Sequence, residues 1–237
     1  MLDSGPFTVN LATIGIDDSQ FKAVTDTLGK AAFGADGATG FEIEGVESDR
    51  VTARLLRSRP IEIQSYDTDT GELVDEEVQT VESIPFRLDF DRQRLEVFSN
   101  GRDTRAVASA IQQRIDLGQP PVQLGLDLAG VYDAATETDW DVSVSSLQVR
   151  NLAIDEQATG SYRMAIPEDS QADSYIADYA GDISYLGTTF ERAGSAVSVG
   201  FYESGSIRFF SASDANAELW ETIGTEIQAH GATVKKR

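Results

Sequence analysis

The densest cluster of basic side chains is Arg50, Arg54, Arg57 and Arg59, four arginines within ten residues of predicted strand. A guanidinium is planar, permanently charged and forked, and it matches a carboxylate bidentately. The cluster therefore points either to intramolecular pairing with Glu42, Glu44, Glu47 and Glu62 or to a contact surface for an acidic protein partner. The C-terminal Lys235-Lys236-Arg237 offers a second, smaller basic group.

Other candidates for chemistry are few. His230 is the only histidine and there is no cysteine. Disulfides and thiolate metal sites are thereby removed, and Ser-His-Asp, Cys-His and HExxH arrangements are disfavoured. A lone histidine near the end of the last predicted helix reads as a dipole interaction or an exposed group. Ser19-Gln20-Phe21-Lys22 matches S-x-x-K but has no companion motifs, and a helix start explains it. The glycine-rich segment Gly34 to Gly40 lacks the GK[ST] of a phosphate loop and reads as a connector. Asp67-Thr68-Asp69-Thr70-Gly71-Glu72 resembles a calcium loop, but its glycine is one position early and its twelfth position is Val78. It reads as a hairpin turn. No catalytic residue, metal or cofactor is expected.

These side chains sit in a chain of 237 residues with 40 acidic and 19 basic residues, a net charge of −21. Only Lys22, Lys30, Lys235 and Lys236 are lysines. The acid is spread evenly, −10 up to Gly118 and −11 beyond it, which suggests a whole surface selected for solubility in salt. The composition resembles that of haloarchaeal cytoplasmic proteins. No apolar run approaches the ~20 residues of a membrane span, and the N-terminus lacks the basic and apolar regions of a signal peptide. The expected location is a high-salt cytoplasm, or a particle assembled there.

The elements follow from periodicity. Phe7 to Leu11 reads as an opening strand, and Asp17-Asp18-Ser19 can cap a helix carrying Phe21, Val24 and Leu28. Strands are predicted at Phe41 to Val46, Val51 to Leu56, Ile61 to Tyr66, Val74 to Val81 and Phe86 to Phe90. A short turn leads to Leu95 and Val97, then a helix capped by Asp103. Later come strands at Val142 to Ile154 and Tyr162 to Ile166, and helical spacing across Ile176, Tyr179, Ile183 and Leu186. Ser213 or Asp214 can cap a last helix.

A repeat emerges from this pattern. Leu95 and Ile207, Val97 and Phe209, Val107 and Leu219, Ile111 and Ile223, and Ile115 and Ile227 are each 112 residues apart. Five core positions in register across a hairpin and a helix argue for a duplication. The expected fold is α+β, with two tandem related units at 1–118 and 119–237. Each is an antiparallel sheet with a helix following a β-hairpin.

The hairpin-plus-helix of Val197 to Ile227, with its Ser204-Gly205 turn, resembles the saddle of the TATA-box-binding protein. That resemblance implies a concave binding face carrying Tyr202, Arg208 and Phe210 in the second repeat and Phe98 in the first. Paired outward aromatics could wedge between bases. Asp89, Asp91 and Glu96 would share that face with Phe98, offset only by Arg87 and Arg94, and would repel phosphates. The reading preferred from sequence is a non-enzymatic binding or assembly module whose partner is protein. The alternatives are a nucleic-acid binder using the sheet face and a structural component of a halophilic virus or other large particle.

Overall fold

A computed structural model describes residues 5–16, 18–34, 38–68, 71–115, 119–153, 159–166, 171–227 and 232–234. Strand β1 (Phe7–Thr13) leads through a 3-10 turn (Asp18–Gln20) to helix α1 (Phe21–Lys30). Strands β2 (Thr39–Val46), β3 (Arg50–Asp67), β4 (Glu72–Asp89) and β5 (Arg94–Val97) follow, closed by helix α2 (Gly101–Gln112). Next come β6 (Val122–Leu126), α3 (Leu128–Thr136), β7 (Asp141–Ala153), β8 (Thr159–Ala165) and α4 (Ala172–Tyr179). Strands β9 (Ile183–Arg192), β10 (Ser195–Tyr202) and β11 (Ser206–Phe209) precede α5 (Asn216–Thr222), a π-helical turn (Ile223–Ile227) and β12 (Ala232–Val234). The fold is mixed α+β, dominated by antiparallel strands. No helix is long and apolar enough to cross a membrane among the described residues.

The chain divides into two compact units. One comprises Ile14–Phe98 and Arg102–Pro121; the second comprises Met1–Thr13, Ser99–Gly101 and Val122–Arg237. The linear division at 118 does not anticipate that β1 pairs with β11 and β6, which places the N-terminal strand in the second unit.

In the first unit the strands run in the order β2-β3-β4-β5. Alternation puts Val51, Ala53 and Leu55 of β3 on one face, opposite Leu88, Phe86 and Ile84 of β4. All six are buried, with Val24 and Leu28 of α1 and Val107 and Ile111 of α2. Apart from Ala53, side chains of this size contribute about 1.5–3 kcal/mol each when fully buried. Phe41 meets Phe86 edge-on at 6.0 Å.

The second unit orders its strands β1-β11-β10-β9-β7-β8, with β6 on β1 and β12 on β6. Val197, Val199, Phe201, Ile207 and Phe209 are buried with Leu219, Trp220 and Ile223. Phe209 lies against Trp220 at 6.3 Å and stacks on Phe7 at 4.3 Å. The β10–β11 turn needs Gly205, whose φ is +88° and whose missing Cβ would sit 1.9 Å from the Leu124 carbonyl oxygen.

Several expected elements come out differently. Val51 to Leu56 and Ile61 to Tyr66 belong to the single strand β3, which continues through Pro60. Ile183 and Leu186 sit in β9, because α4 ends at Tyr179 and the chain turns at Gly181. Their spacing fits a helix only if Gly181 is ignored. Helix α1 has Gln20 at its N-cap with no side-chain capping bond. Asp103 lies inside the first turn of α2, which begins at Gly101, and Ser213 Oγ accepts from Ala215 N–H at 3.2 Å just before α5. Asp17, part of the Gly34 to Gly40 connector, Asp69, Thr70, Gly118, His230, Lys235, Lys236 and Arg237 lie outside the described residues.

Candidate functional site

The four clustered arginines all stand on β3, but strand alternation divides them between its faces, Arg50 and Arg54 on one and Arg57 and Arg59 on the other. Arg50 Nε lies 3.4 Å from Asp89 Oδ2, its ladder partner on β4, and 3.7 Å from Asp49 Oδ2. Arg54 Nε donates to Glu44 Oε1 at 2.5 Å. Arg57 Nε donates to Glu82 Oε2 at 2.6 Å, and its Nη2 lies 3.5 Å from Asp103 Oδ1. That hydrogen bond holds the Glu82 carboxyl below its ordinary range, helped by the charges of Arg57 and Arg59, and raises Arg57 in turn. Of the carboxylates expected from sequence to pair with the cluster, Glu44 does so; Asp49, Glu82, Asp89 and Asp103 supply the other described pairs. Arg59 is exposed and makes no ion pair among the described residues. With Pro60, Ile61, Glu62 and Glu77 it lines an open cleft of about 380 Å³.

Arg59 stands at the base of a feature that sequence periodicity did not reveal. Strand β2 pairs with β3 only as far as Arg57, and Ser58 N–H then donates to Ala38 O at 2.6 Å. Strand β5 pairs with β4 only from Phe86 onward, and Phe98 N–H donates to Pro85 O at 3.0 Å. Between these limits, among the described residues, β3 and β4 form ladders only with each other, from Ser58↔Val81 to Asp67↔Glu72. The result is a two-stranded ribbon exposed on both faces. A hairpin of this kind is marginal alone in water.

The two faces of the ribbon differ in chemistry. The parity that buries Leu55 and Ile84 continues outward through Arg57 and Glu82 to Ile61 opposite Val78, then to Ile63 and Val74. These four apolar residues are 37–40% exposed. The reverse face sets Glu62 directly against Glu77 and Gln64 against Asp75, with Tyr66 and Leu73 near the tip. The first face is apolar at the Ile61–Val78 pair but sets Glu76 opposite Ile63, and the reverse face is acidic in mid-strand with the more exposed Tyr66, Leu73 and Val81 toward its ends.

The nucleic-acid candidates fall in different places. Tyr202, Arg208 and Phe210 share a region of the second unit's sheet built on two glycines. Gly200 pairs with Gly187 and with Arg208. A Cβ on Gly200 would meet Tyr185 Cε2 at 2.8 Å and Phe210 Cε2 at 2.9 Å, so the glycine admits both rings. The Arg208 guanidinium lies 5.2 Å from the Phe210 ring centroid, and Arg163 lies 5.2 Å from that of Tyr185. Tyr185 meets Tyr202 at 4.9 Å. Thr8, Asn10, Asn100, Gly101, Tyr202, Ser204, Ser206 and Arg208 line a polar cleft of about 240 Å³. Asn10 is locked there, donating to Ser99 O at 2.5 Å and accepting from Ser206 Oγ.

Phe98 belongs to the first unit, is half-buried, and has the Arg87 guanidinium 6.0 Å from its ring. The carboxylates expected beside it are not displayed as a group. Asp89 and Glu96 are fully buried and Asp91 is exposed. Glu96 Oε2 accepts from Arg87 Nε at 2.7 Å, and Asp89 Oδ2 accepts from Arg92 Nη1 at 2.9 Å. Arg94 is buried too, and burial pushes its guanidinium below the ordinary range. These charges are used internally, which sequence alternation could not show because both faces of β4 and β5 are covered here.

Sequence reasoning also passed over Tyr185, Arg163, Gly187 and Gly200. Glycine in two adjacent strands was the available signal, since it often marks a close approach. Among the described residues no three His, Cys, Asp or Glu side chains are placed to hold a metal ion. The chain matches no family model and no curated protein sequence.

Proposed function

We propose that the chain is a non-enzymatic binding or assembly module of a halophilic archaeon, that its partner is protein, and that the β3–β4 ribbon is its contact element. The observation that carries this reading is the ribbon itself. It keeps core-parity apolar residues well beyond the point where the protein's own sheet stops covering them. Such a strip with open backbone edges is suited to strand addition or to packing under a partner. The arginine cluster supports the base of the ribbon more than it supplies a charged docking patch, because Arg50, Arg54 and Arg57 are engaged with neighbouring carboxylates.

The two halves are related in this reading. Each runs strand, helix, four sheet-neighbouring strands, helix: β1-α1-β2-β3-β4-β5-α2, and β6-α3-β7-β9-β10-β11-α5 with β8 and α4 inserted. Leu95, Val97, Val107 and Ile111 and their counterparts 112 residues on are all buried. The ribbon is the extension peculiar to the first half.

The test is replacement of residues 60–79 by Asn-Gly joining Arg59 to Thr80, a two-residue turn across a hydrogen-bonded pair. No described residue in that span is buried, so melting should be unchanged. Expressed in a halophilic host and sized in molar KCl, the full chain should elute as a complex heavier than 25.7 kDa, and the shortened chain as a monomer. A full chain that purifies alone as a monomer overturns the proposal.

A second reading, nucleic-acid binding on the second unit's sheet, draws on the Arg208–Phe210 and Arg163–Tyr185 pairs. It requires that Arg208→Ala with Phe210→Ala abolish binding of duplex or single-stranded DNA in molar KCl. Unchanged anisotropy titrations would dismiss it.

A further inference from the structure

The two edges of the ribbon are not equivalent. Ser58 N–H points away from β4, toward Ala38 O. Hydrogen-bonding direction alternates along a strand, so Pro60 occupies the next outward position on β3. Proline has no N–H, so it removes one donor from that edge and disfavours strand addition across it. On β4 the same alternation sends the N–H and C=O groups of Leu73, Asp75, Glu77, Gln79, Val81 and Ser83 outward. None of them has a backbone partner among the described residues. The β3 edge is therefore interrupted at Pro60, whereas the β4 edge is a proline-free open template from 72 to 84.

We infer that the occupant of the open β4 edge is the β4 edge of a second copy of this chain, paired antiparallel about a two-fold axis at Val78. The inference rests on the reading of the ribbon as a protein-contact element and names the partner. Charge selects the register. Outward groups must face outward groups, so the axis has to fall on a residue. Centred on Val78, Glu76 lies opposite Thr80 of the second copy, Glu77 opposite Gln79, Asp75 opposite Val81 and Val74 opposite Glu82. No carboxylate faces another. Centring on Glu76 or Glu77 sets that glutamate against its own copy, and centring on Gln79 sets Glu76 against Glu82. Like charges directly opposite are destabilising. Centring on Thr80 avoids these clashes but engages only 76–84, because β4 beyond Pro85 is already taken up by β5.

The same register makes an apolar row. Ile61 is the ladder partner of Val78, so Ile61 and Val78 of one copy continue into Val78 and Ile61 of the next across four strands. The acidic faces, with Glu62 and Glu77, remain together on the solvated side. A closed two-fold pairing of this kind consumes both templates and does not propagate.

The absence of native cysteine makes disulfide trapping clean. Val78 would face its symmetry mate in a non-hydrogen-bonded pair with Cα atoms about 4.5 Å apart, within disulfide reach. In molar KCl under mild oxidation, Val78→Cys should convert to a covalent dimer. Glu76→Cys alone and Thr80→Cys alone should not, whereas a mixture of the two should cross-link. Glu77→Pro, which removes an outward N–H and leaves the hairpin's own bonds, should halve the mass in solution with melting unchanged. Dimer trapping by Thr80→Cys alone, or a full chain that stays monomeric at every concentration, overturns the inference. A ribbon-dependent complex with a different protein, without Val78→Cys cross-linking, overturns self-pairing and leaves the ribbon's role as a contact element standing.

Discussion

Glu96 and Arg87 offer the sharpest check on how this protein uses its charges. Arg87 Nε donates to Glu96 Oε2 at 2.7 Å, with the carboxylate side chain wholly buried and the arginine side chain 11% exposed. Glu96→Leu leaves the guanidinium in the same site without its counter-charge. Breaking one side of a buried pair costs about 3–5 kcal/mol. For a chain of this length each kcal/mol moves the melting temperature by about 2–4 °C, so a fall of roughly 6–20 °C follows. The double variant Arg87→Met with Glu96→Leu should recover only part of that loss, because apolar replacement of a buried pair is often neutral or stabilising while the buried Arg94 still loses the Glu96 charge beside it. Thermal melts and urea titrations of the wild type, both single variants and the double variant, all in molar KCl, complete the cycle. A single-variant cost under about 1 kcal/mol would mean that the pair is solvated. Glu96 would then return to the sheet surface as a charge that repels phosphate.

Two further outcomes follow from the same charges. The Arg57 hydrogen bond lowers the folded-state pKa of Glu82, so its stabilisation is present above the ordinary glutamate pKa and lost as pH falls through the lowered value. Glu82→Gln should therefore be less stable than wild type at neutral pH, by no more than about 1 kcal/mol for so exposed a pair, and equal to it in strong acid; denaturant titrations across that range read the difference. Second, a net charge of −21 repels itself, and on the halophilic reading proposed above salt screens that repulsion, with a length of about 3 Å at 1 M and 10 Å at 0.1 M. Circular dichroism should show loss of structure as KCl is dialysed away, and full retention of fold in low salt would contradict the halophilic reading.

Much of the fold was legible because its signals are local. The β4–β5 and β10–β11 hairpins and the helices after them follow from alternation giving way to helical spacing at Leu95, Val97, Val107 and Ile111 and again at Ile207, Phe209, Leu219 and Ile223. What misled was also local. Ile183 and Leu186 fit a helical period as well as a strand's. Pro60 looks like the end of a strand until its N–H position is known to face outward, where the missing donor interrupts nothing.

The sequence alone determined the acidic charge balance, the absence of cysteine and the alternation of the strands, since each depends only on which residues are present and on near neighbours in the chain. Whether a face or an edge is covered depends on distant segments, and only tertiary structure decided it. It buried Asp89 and Glu96 where alternation set them outward, and it brought Asp89 to Arg50 and Glu82 to Arg57 across the ladder. Beyond Ser58 on β3 and before Pro85 on β4 no third strand pairs with them among the described residues, so an ordinary run of alternating residues became an open ribbon.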